Sequence, residues 1–102
     1  MARSEWTEEA EDDLADIAYY IAVKERRPLT ARKNIEEIQS KAKHYARNPQ
    51  LGQHHPDLPG ESRYFRHKRW IAVYQERRYG LIVIRVIDSA RDFQRLFPYC
   101  NE

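Results

Sequence analysis

Residues 81–87 read LIVIRVI, an aliphatic and mostly β-branched run that contains a single arginine, Arg85. This composition is typical of a strand that is buried on at least one face. Because side chains alternate along a strand, one apolar face should consist of Ile82, Ile84 and Val86 and should pack against the rest of the core. Arg85 should lie on the opposite face, where its charge requires either an acidic partner or a groove that is open to a binding partner.

Two more strand-like runs precede this segment, and the connections between the three runs are short. Connections of this length join neighbouring strands as antiparallel hairpins. Gly80, just before the last run, suits the left-handed backbone of such a turn. The sequence therefore predicts a C-terminal three-stranded antiparallel sheet with strands Ser62–His67, Trp70–Glu76 and Leu81–Ile87.

Two amphipathic helices are predicted before the sheet, each with apolar residues at alternating spacings of four and three. Thr7 is the expected N-cap of the first helix, which should end in the basic run 24–27. The second helix should extend from about Thr30 to Arg47 and is stopped by the Asn-Pro pair that follows. The expected fold is therefore α+β: an N-terminal short strand at residues 2–6, then an αα-hairpin packed on the C-terminal three-stranded antiparallel sheet.

Length and composition predict one folded domain that covers residues 1–102. The chain is 41% hydrophobic and 33% charged, and no apolar stretch approaches the roughly 20 residues that a membrane span requires. The N-terminal segment lacks the apolar core of a secretory signal peptide, so we expect a cytoplasmic protein that does not contact a membrane. The single cysteine, Cys100, agrees with a reducing compartment because it has no partner for an internal disulfide.

Charge is unevenly distributed along the chain. Residues 5–16 contain seven acids and no base, whereas residues 63–95 contain nine bases and three acids. The basic half favours an anionic partner, although a solvated surface explains the same pattern. The adjacent His54 and His55, even with His44, have no Cys or Glu at the spacing of a zinc site, so neither a metal nor another cofactor is expected.

Several short strings, spread over nearly the whole chain, occur in an order found in one toxin family. They are Trp6-Thr7-x-x-Ala10-x-x-Asp13-Leu14-x-x-Ile17-x-x-Tyr20-Ile21, Asn48-Pro49-x-x-Gly52, Arg63-Tyr64-Phe65, Tyr74 and Ile84-Arg85-Val86-Ile87-x-x-x-Arg91-Asp92. Together with the predicted element order, these strings resemble the ParE branch of the RelE/ParE superfamily of type II toxins. Asp88 stands where this family commonly has a histidine.

The resemblance implies the toxin of a type II toxin-antitoxin system of the plasmid-stabilisation type. Its partners would be a cognate antitoxin protein, which holds the toxin inactive, and DNA gyrase, which is the implied target. DNA would be contacted only indirectly, through the antitoxin complex. The alternative is a ribosome-dependent mRNA endonuclease similar to the RelE branch, whose partners would be the ribosome and mRNA.

Cleavage of RNA by a toxin needs a base for the 2′-hydroxyl group and cations for the phosphate. No histidine or carboxylate lies among the C-terminal cations at a position that suits a base, and Tyr99 is the only late tyrosine for a RelE-type role. We therefore assign no catalytic residue and expect a binding module rather than an enzyme.

The candidate binding surfaces are a basic face and an apolar strip. The basic face, which would receive the target or an acidic antitoxin segment, comprises Arg63, Arg66, Arg69, Arg85 and Arg91. The apolar strip, which an amphipathic antitoxin helix would cover, comprises Tyr19, Tyr20 and Leu29. Arg85 keeps two interpretations: the floor of this basic face, or an internal ion pair with Asp88, Asp92 or an acid of the first helix.

Overall fold

The computed structural model describes residues 2–89, and its elements follow the predicted α+β order. The bounds are β1 Arg3–Trp6, α1 Glu8–Tyr19, α2 Pro28–Ala46, β2 Arg63–His67, β3 Trp70–Arg77 and β4 Gly80–Asp88. A π-helical turn, Tyr20–Lys24, extends α1, and a short 3-10 turn, Pro49–Leu51, follows α2. The predictions made for Arg91, Asp92, Tyr99 and Cys100 concern residues outside the described range.

The helical hairpin begins and turns where its sequence predicts. Thr7 caps α1, since its Oγ1 accepts the backbone N–H of Ala10 at 3.1 Å. Pro28 opens α2, at a position where its missing N–H costs no hydrogen bond. Between the helices, Arg26 adopts a left-handed φ of 56°, which reverses the direction of the chain. Within residues 2–89, no helix combines the length and apolar content needed to cross a membrane.

The sheet contains four strands rather than three, in the order β1-β4-β3-β2. The last three strands form the predicted antiparallel hairpins, and β1 pairs in parallel with β4. The prediction omitted β1 from the sheet because a parallel pair joins residues that are distant in sequence, which local patterns do not reveal. Arg3 lies opposite Gly80, where a Cβ atom would come within 2.2 Å of the Arg3 carbonyl oxygen, so only glycine fits there.

The faces of β4 differ from the prediction. Leu81, Val83 and Val86 pack with the helices, whereas Ile84 and Ile87 pack on the other face of the sheet. A β-bulge explains the difference, because β3 residues 73 and 74 pair with β4 residues 85 and 83 and leave residue 84 as an extra residue. The prediction that Ile82 and Ile84 face the helices is therefore wrong, and that for Val86 is confirmed.

Apolar residues are buried on both faces of the sheet. The helix-covered face contains the larger cluster, in which Leu14 and Ile38 pack with residues of β3 and β4. On the opposite face, Leu58 packs over Ile71 and Val73. Leu58 comes from the proline-containing segment that was predicted only as a loop, so this loop supplies part of the core.

Candidate functional site

A cleft of about 400 Å³ lies between α1 and the adjoining ends of β3 and β4, and we call it the α1–β4 cleft. It exists because β1 ends at Trp6, so that the second half of β4 has α1 rather than another strand beside it. Its apolar lining consists of Ile17, Tyr20, Trp70, Val86 and Ile87. Its charged lining consists of Asp13, Asp16, Arg69, Arg85 and Asp88. An apolar surface with a few charged groups is typical of a recognition site.

Arg85 forms an internal ion pair with Asp13 of α1. Its Nε lies 2.8 Å from Asp13 Oδ2 and its Nη2 lies 3.3 Å from Oδ1, so the contact is bidentate. The Asp13 carboxylate also accepts the backbone N–H of Val86 at 2.8 Å. The hydrogen bond with Asp13 raises the pKa of Arg85, against the opposite effect of burial.

This geometry bears on both interpretations of Arg85, because its side chain is paired with an acid and also lines the α1–β4 cleft. The ion pair with an acid of the first helix is confirmed. The expectation that Arg85 points away from the helices is wrong, because the bulge disturbs the alternation of β4 and its side chain reaches α1 at the edge of the sheet.

A second ion pair, between Arg69 and Asp88, lines the same cleft. Arg69 Nη2 donates to Asp88 Oδ2, and this hydrogen bond raises the pKa of Arg69. The guanidinium carbon of Arg69 also lies 4.8 Å from the centroid of the Trp70 ring, within the range of a cation–π contact. Asp88 therefore joins the end of β4 to the turn between β2 and β3, although the family that the sequence resembles commonly has a histidine here.

The other two described cations of the predicted basic face, Arg63 and Arg66, lie elsewhere. Arg63 donates to the backbone carbonyls of two loop residues, at 3.0 and 3.2 Å, and thereby fixes the loop that follows α2. Arg66 is exposed on β2, where its carbonyl accepts a hydrogen bond from Lys41 Nζ at 2.7 Å. Among the predicted arginines that the structure describes, it is Arg69 and Arg85 that line one cleft.

The predicted apolar strip is exposed but divided. Tyr19, Tyr20 and Leu29 are 58%, 45% and 80% exposed, and Val23, which the prediction missed, is 52% exposed. Tyr20 lines the α1–β4 cleft, whereas Leu29 lines a separate depression on α2. The structure therefore assigns these two side chains to different surfaces.

The prediction of the site also missed Asp13, Asp16 and Trp70. The sequence did contain a signal for Asp13. It lies next to Leu14 of the apolar stripe of α1 and should therefore lie near the sheet. An acid that is partly buried there requires a cation as its partner. Trp70 gave no such signal, since its place in a strand pattern is equally typical of a core residue.

Two of the histidines have polar contacts with nearby groups. His55 Nδ1 accepts the backbone N–H of Asp57 at 3.1 Å, and His67 Nε2 lies 2.9 Å from Glu37 Oε1. Within residues 2–89, no group of three or more His, Cys, Asp or Glu side chains is arranged to hold a metal ion. The α1–β4 cleft presents apolar side chains and charged groups to a ligand.

Comparison with known proteins identifies the family of the chain. The profile of a family described as "ParE toxin of type II toxin-antitoxin system, parDE" matches residues 4–93. Among solved structures, the fold is similar to a chain described as "Chromosomal ParDE TA system from P. aeruginosa", with a TM-score of 0.69, 20% sequence identity and coverage of 86% of this chain and 96% of that chain. A search of curated protein sequences gave no significant match. Because the family profile spans residues 4–93, this chain belongs to the ParE toxins of type II toxin-antitoxin systems.

Proposed function

We propose that this chain arrests bacterial growth by inhibiting DNA gyrase, and that a cognate antitoxin neutralises it by binding the surface around the α1–β4 cleft. Membership of the ParE family supports the antitoxin partner, because the toxin of a type II system is paired with a protein antitoxin. The same membership favours gyrase over the ribosome as the target. Tyr20, a half-exposed part of the apolar lining of the cleft, offers the kind of surface that anchors a protein partner.

The main observation behind this proposal is that most of the arginines of the predicted basic face already form hydrogen bonds or ion pairs within the chain. An mRNA endonuclease needs cations that are available to stabilise charge on a phosphate group. Arg63, Arg69 and Arg85 instead bind loop carbonyls, Asp88 and Asp13, respectively, and Arg66, the fourth predicted arginine among the described residues, is exposed on β2 away from the cleft. A phosphate would have to compete with these partners for the guanidinium groups, which costs free energy, whereas the binding of a protein surface leaves the contacts intact.

Inducible expression in a bacterium, with and without the antitoxin encoded beside the toxin gene, tests the proposal. Inhibition of gyrase predicts growth arrest with filamentation and DNA-damage signalling, and the antitoxin should suppress all three. The purified chain should inhibit the supercoiling of relaxed plasmid by gyrase. Relaxation of supercoiled plasmid by topoisomerase I is the matched control and should be unaffected.

The RelE-like alternative predicts a different result. Ribosome-dependent cleavage of mRNA in growing cells, together with normal supercoiling by gyrase in vitro, would replace the proposal with the endonuclease. Growth that is unaffected by expression of the chain alone would contradict both functions.

A further inference from the structure

Carboxylates outnumber guanidinium groups around the α1–β4 cleft. Asp13, Asp16 and Asp88 line it together with Arg69 and Arg85. Two more acids lie close enough for their charge to favour the protonated guanidinium groups: Glu9 acts on Arg85 and Glu25 acts on Arg69. Among residues 2–89, three carboxylates and two guanidinium groups line the cleft, and Glu9 and Glu25 add negative charge near the arginines, so the part of the predicted basic face that lies at this cleft is acidic in its balance.

The acids that line the cleft differ in whether they form an ion pair with an arginine of the chain. Asp13 and Asp88 each hold an arginine. Asp16 is exposed on α1, and no cation of the described residues lies within ion-pair distance of its carboxylate. Among the residues that the structure describes, the carboxylate of Asp16 is therefore unpaired and can accept a further cation.

An apolar surface lies beside this carboxylate. Ile17 and Val86 line the cleft, and Tyr20, one turn of helix beyond Asp16, forms a half-exposed part of its lining. Tyr19 and Val23, each more than half exposed, lie on the same helical segment outside the residues that line the cleft. A partner side chain that covers Tyr20 can therefore be followed, within one helical turn, by a charged group that reaches Asp16.

We propose that the α1–β4 cleft binds a segment of the cognate antitoxin that places an aliphatic or aromatic side chain against Tyr20 and a lysine or arginine against Asp16. The inference rests on the antitoxin partner in the proposed function and adds the chemistry of the segment that this partner must supply. The sequence led us to expect an acidic antitoxin segment at Arg69 and Arg85, and this proposal replaces it with a cationic one.

Electrostatics favours a cationic segment over an acidic one. An acidic side chain would have to compete with Asp13 and Asp88 for the two guanidinium groups and would lie among the carboxylates that surround them. A cationic side chain gains an attraction to Asp16 and leaves both internal ion pairs intact. Complementary charge of this kind contributes to specificity and to the rate of association.

Titration of the purified chain with the antitoxin encoded beside its gene, by calorimetry at low and at high salt, tests the proposal. Asp16→Lys should weaken binding about tenfold at low salt, and the loss should be smaller at high salt because salt screens an exposed pair. Tyr20→Ala should also weaken binding about tenfold, with little dependence on salt, because it removes an apolar anchor.

Glu61→Lys is the matched control, because it makes the same change in charge at an exposed position that lies beside Arg77, at the other end of β3 from the cleft. It should change the affinity by less than about twofold. In the reciprocal experiment, each lysine and arginine of the antitoxin is replaced by glutamate in turn. One of these variants should recover affinity with Asp16→Lys, which identifies the cation that pairs with Asp16.

Three results would overturn the proposal: equal effects of Asp16→Lys and Glu61→Lys, tighter binding of Asp16→Lys, or no rescue by any charge reversal in the antitoxin. Self-association of the chain that Asp16→Lys abolishes, seen in sedimentation without antitoxin, would assign the cleft to a second copy instead. These outcomes are separate from the proposed target, because a chain that binds its antitoxin without inhibiting gyrase would contradict only the gyrase function.

Discussion

At the scale of single residues, Asp13 performs three tasks with one carboxylate. It neutralises Arg85, accepts the N–H of Val86 beyond the end of β1, and joins α1 to β4. The side chains of Asp13 and Arg85 are 15% and 28% exposed, so each charge is partly removed from water and depends on the other. The arginine inside an aliphatic strand is explained by this pair.

Arg85→Ala should lower the free energy of unfolding by about 1–3 kcal/mol, because it leaves the Asp13 carboxylate poorly solvated and without its cation. The double variant Asp13→Asn with Arg85→Ala should recover part of the loss, since a neutral amide can still accept the Val86 N–H. Urea denaturation measures both values. Arg66→Ala, at an exposed arginine, should cost less than about 0.5 kcal/mol, and a loss of equal size there would contradict this account.

Tyr74 is a second single residue with a structural role, because it links the sheet to the loop after α2. Its side chain is fully buried, and its hydroxyl donates to the carbonyl oxygen of Pro49 at 2.5 Å. A Cβ atom on Gly52 would lie 2.0 Å from this hydroxyl, so glycine is needed for the ring to fit. The spacing of Pro49, Gly52 and Tyr74 therefore has a structural cause.

Burial raises the pKa of Tyr74 to about 12, which is above the value of an unfolded tyrosine. The stabilisation from this group is complete below pH about 10 and is lost as pH rises through about 12. Tyr74→Phe should therefore be less stable than the parent chain at neutral pH, and the difference should narrow as pH rises through this window. Urea denaturation of both proteins across the alkaline range measures it, and a constant difference would contradict the assignment.

At the scale of elements, contacts from outside the strands cover the free part of β4 and the outer edge of β2. Beyond the end of β1, the edge of β4 is covered by Thr7 and Asp13. On β2, the backbone of Tyr64 pairs with the backbone of Gln53, and the Arg66 carbonyl accepts from Lys41 Nζ. Such protection reduces the risk that an unpaired strand joins another chain.

Thr7 should be the most sensitive of these edge contacts, because its hydroxyl accepts from Ala10 N at 3.1 Å and donates to the Ile84 carbonyl at 3.0 Å. Thr7→Val keeps the shape and removes both bonds, and should lower the free energy of unfolding by about 1–3 kcal/mol. Thr7→Ser keeps both bonds and is the control. Chemical denaturation compares the two, and a similar loss in Thr7→Ser would show that the hydroxyl is not the cause.

At the scale of the whole molecule, two apolar clusters share one sheet. Ile38 belongs to the helix-covered cluster and is 1% exposed, and Leu58 belongs to the opposite cluster and is 4% exposed. Since both clusters pack against β3 and β4, the loss of packing on either face should destabilise the same folded unit.

Ile38→Ala and Leu58→Ala should therefore each shift one common unfolding transition, by about 2–4 kcal/mol in the free energy of unfolding. Near- and far-ultraviolet circular dichroism during urea denaturation should coincide for both variants. A separate early transition in Leu58→Ala alone would show that the loop unfolds independently of the sheet.

The sequence predicted the parts of this molecule that depend on local order. The helices and the hairpins of β2, β3 and β4 follow from periodicity, capping and turn residues, and the structure confirms them. The pairing of β1, the bulge at residue 84 and the partner of Arg85 depend on contacts across 70 or more residues or on one inserted residue, which periodicity does not detect. For the same reason, the balance of charge in the α1–β4 cleft became apparent only from the fold.

The parallel pairing of β1 with β4 has a consequence for the order of events during synthesis. The hydrogen bond from Thr7 to Ile84 spans 77 residues. β1 therefore cannot pair until β4 has also been synthesised. Until residue 88 has been made, α1 has no β4 beside it, and the α1–β4 cleft does not exist. A nascent chain, or one cut short by interrupted translation, therefore has no cleft to offer to a partner.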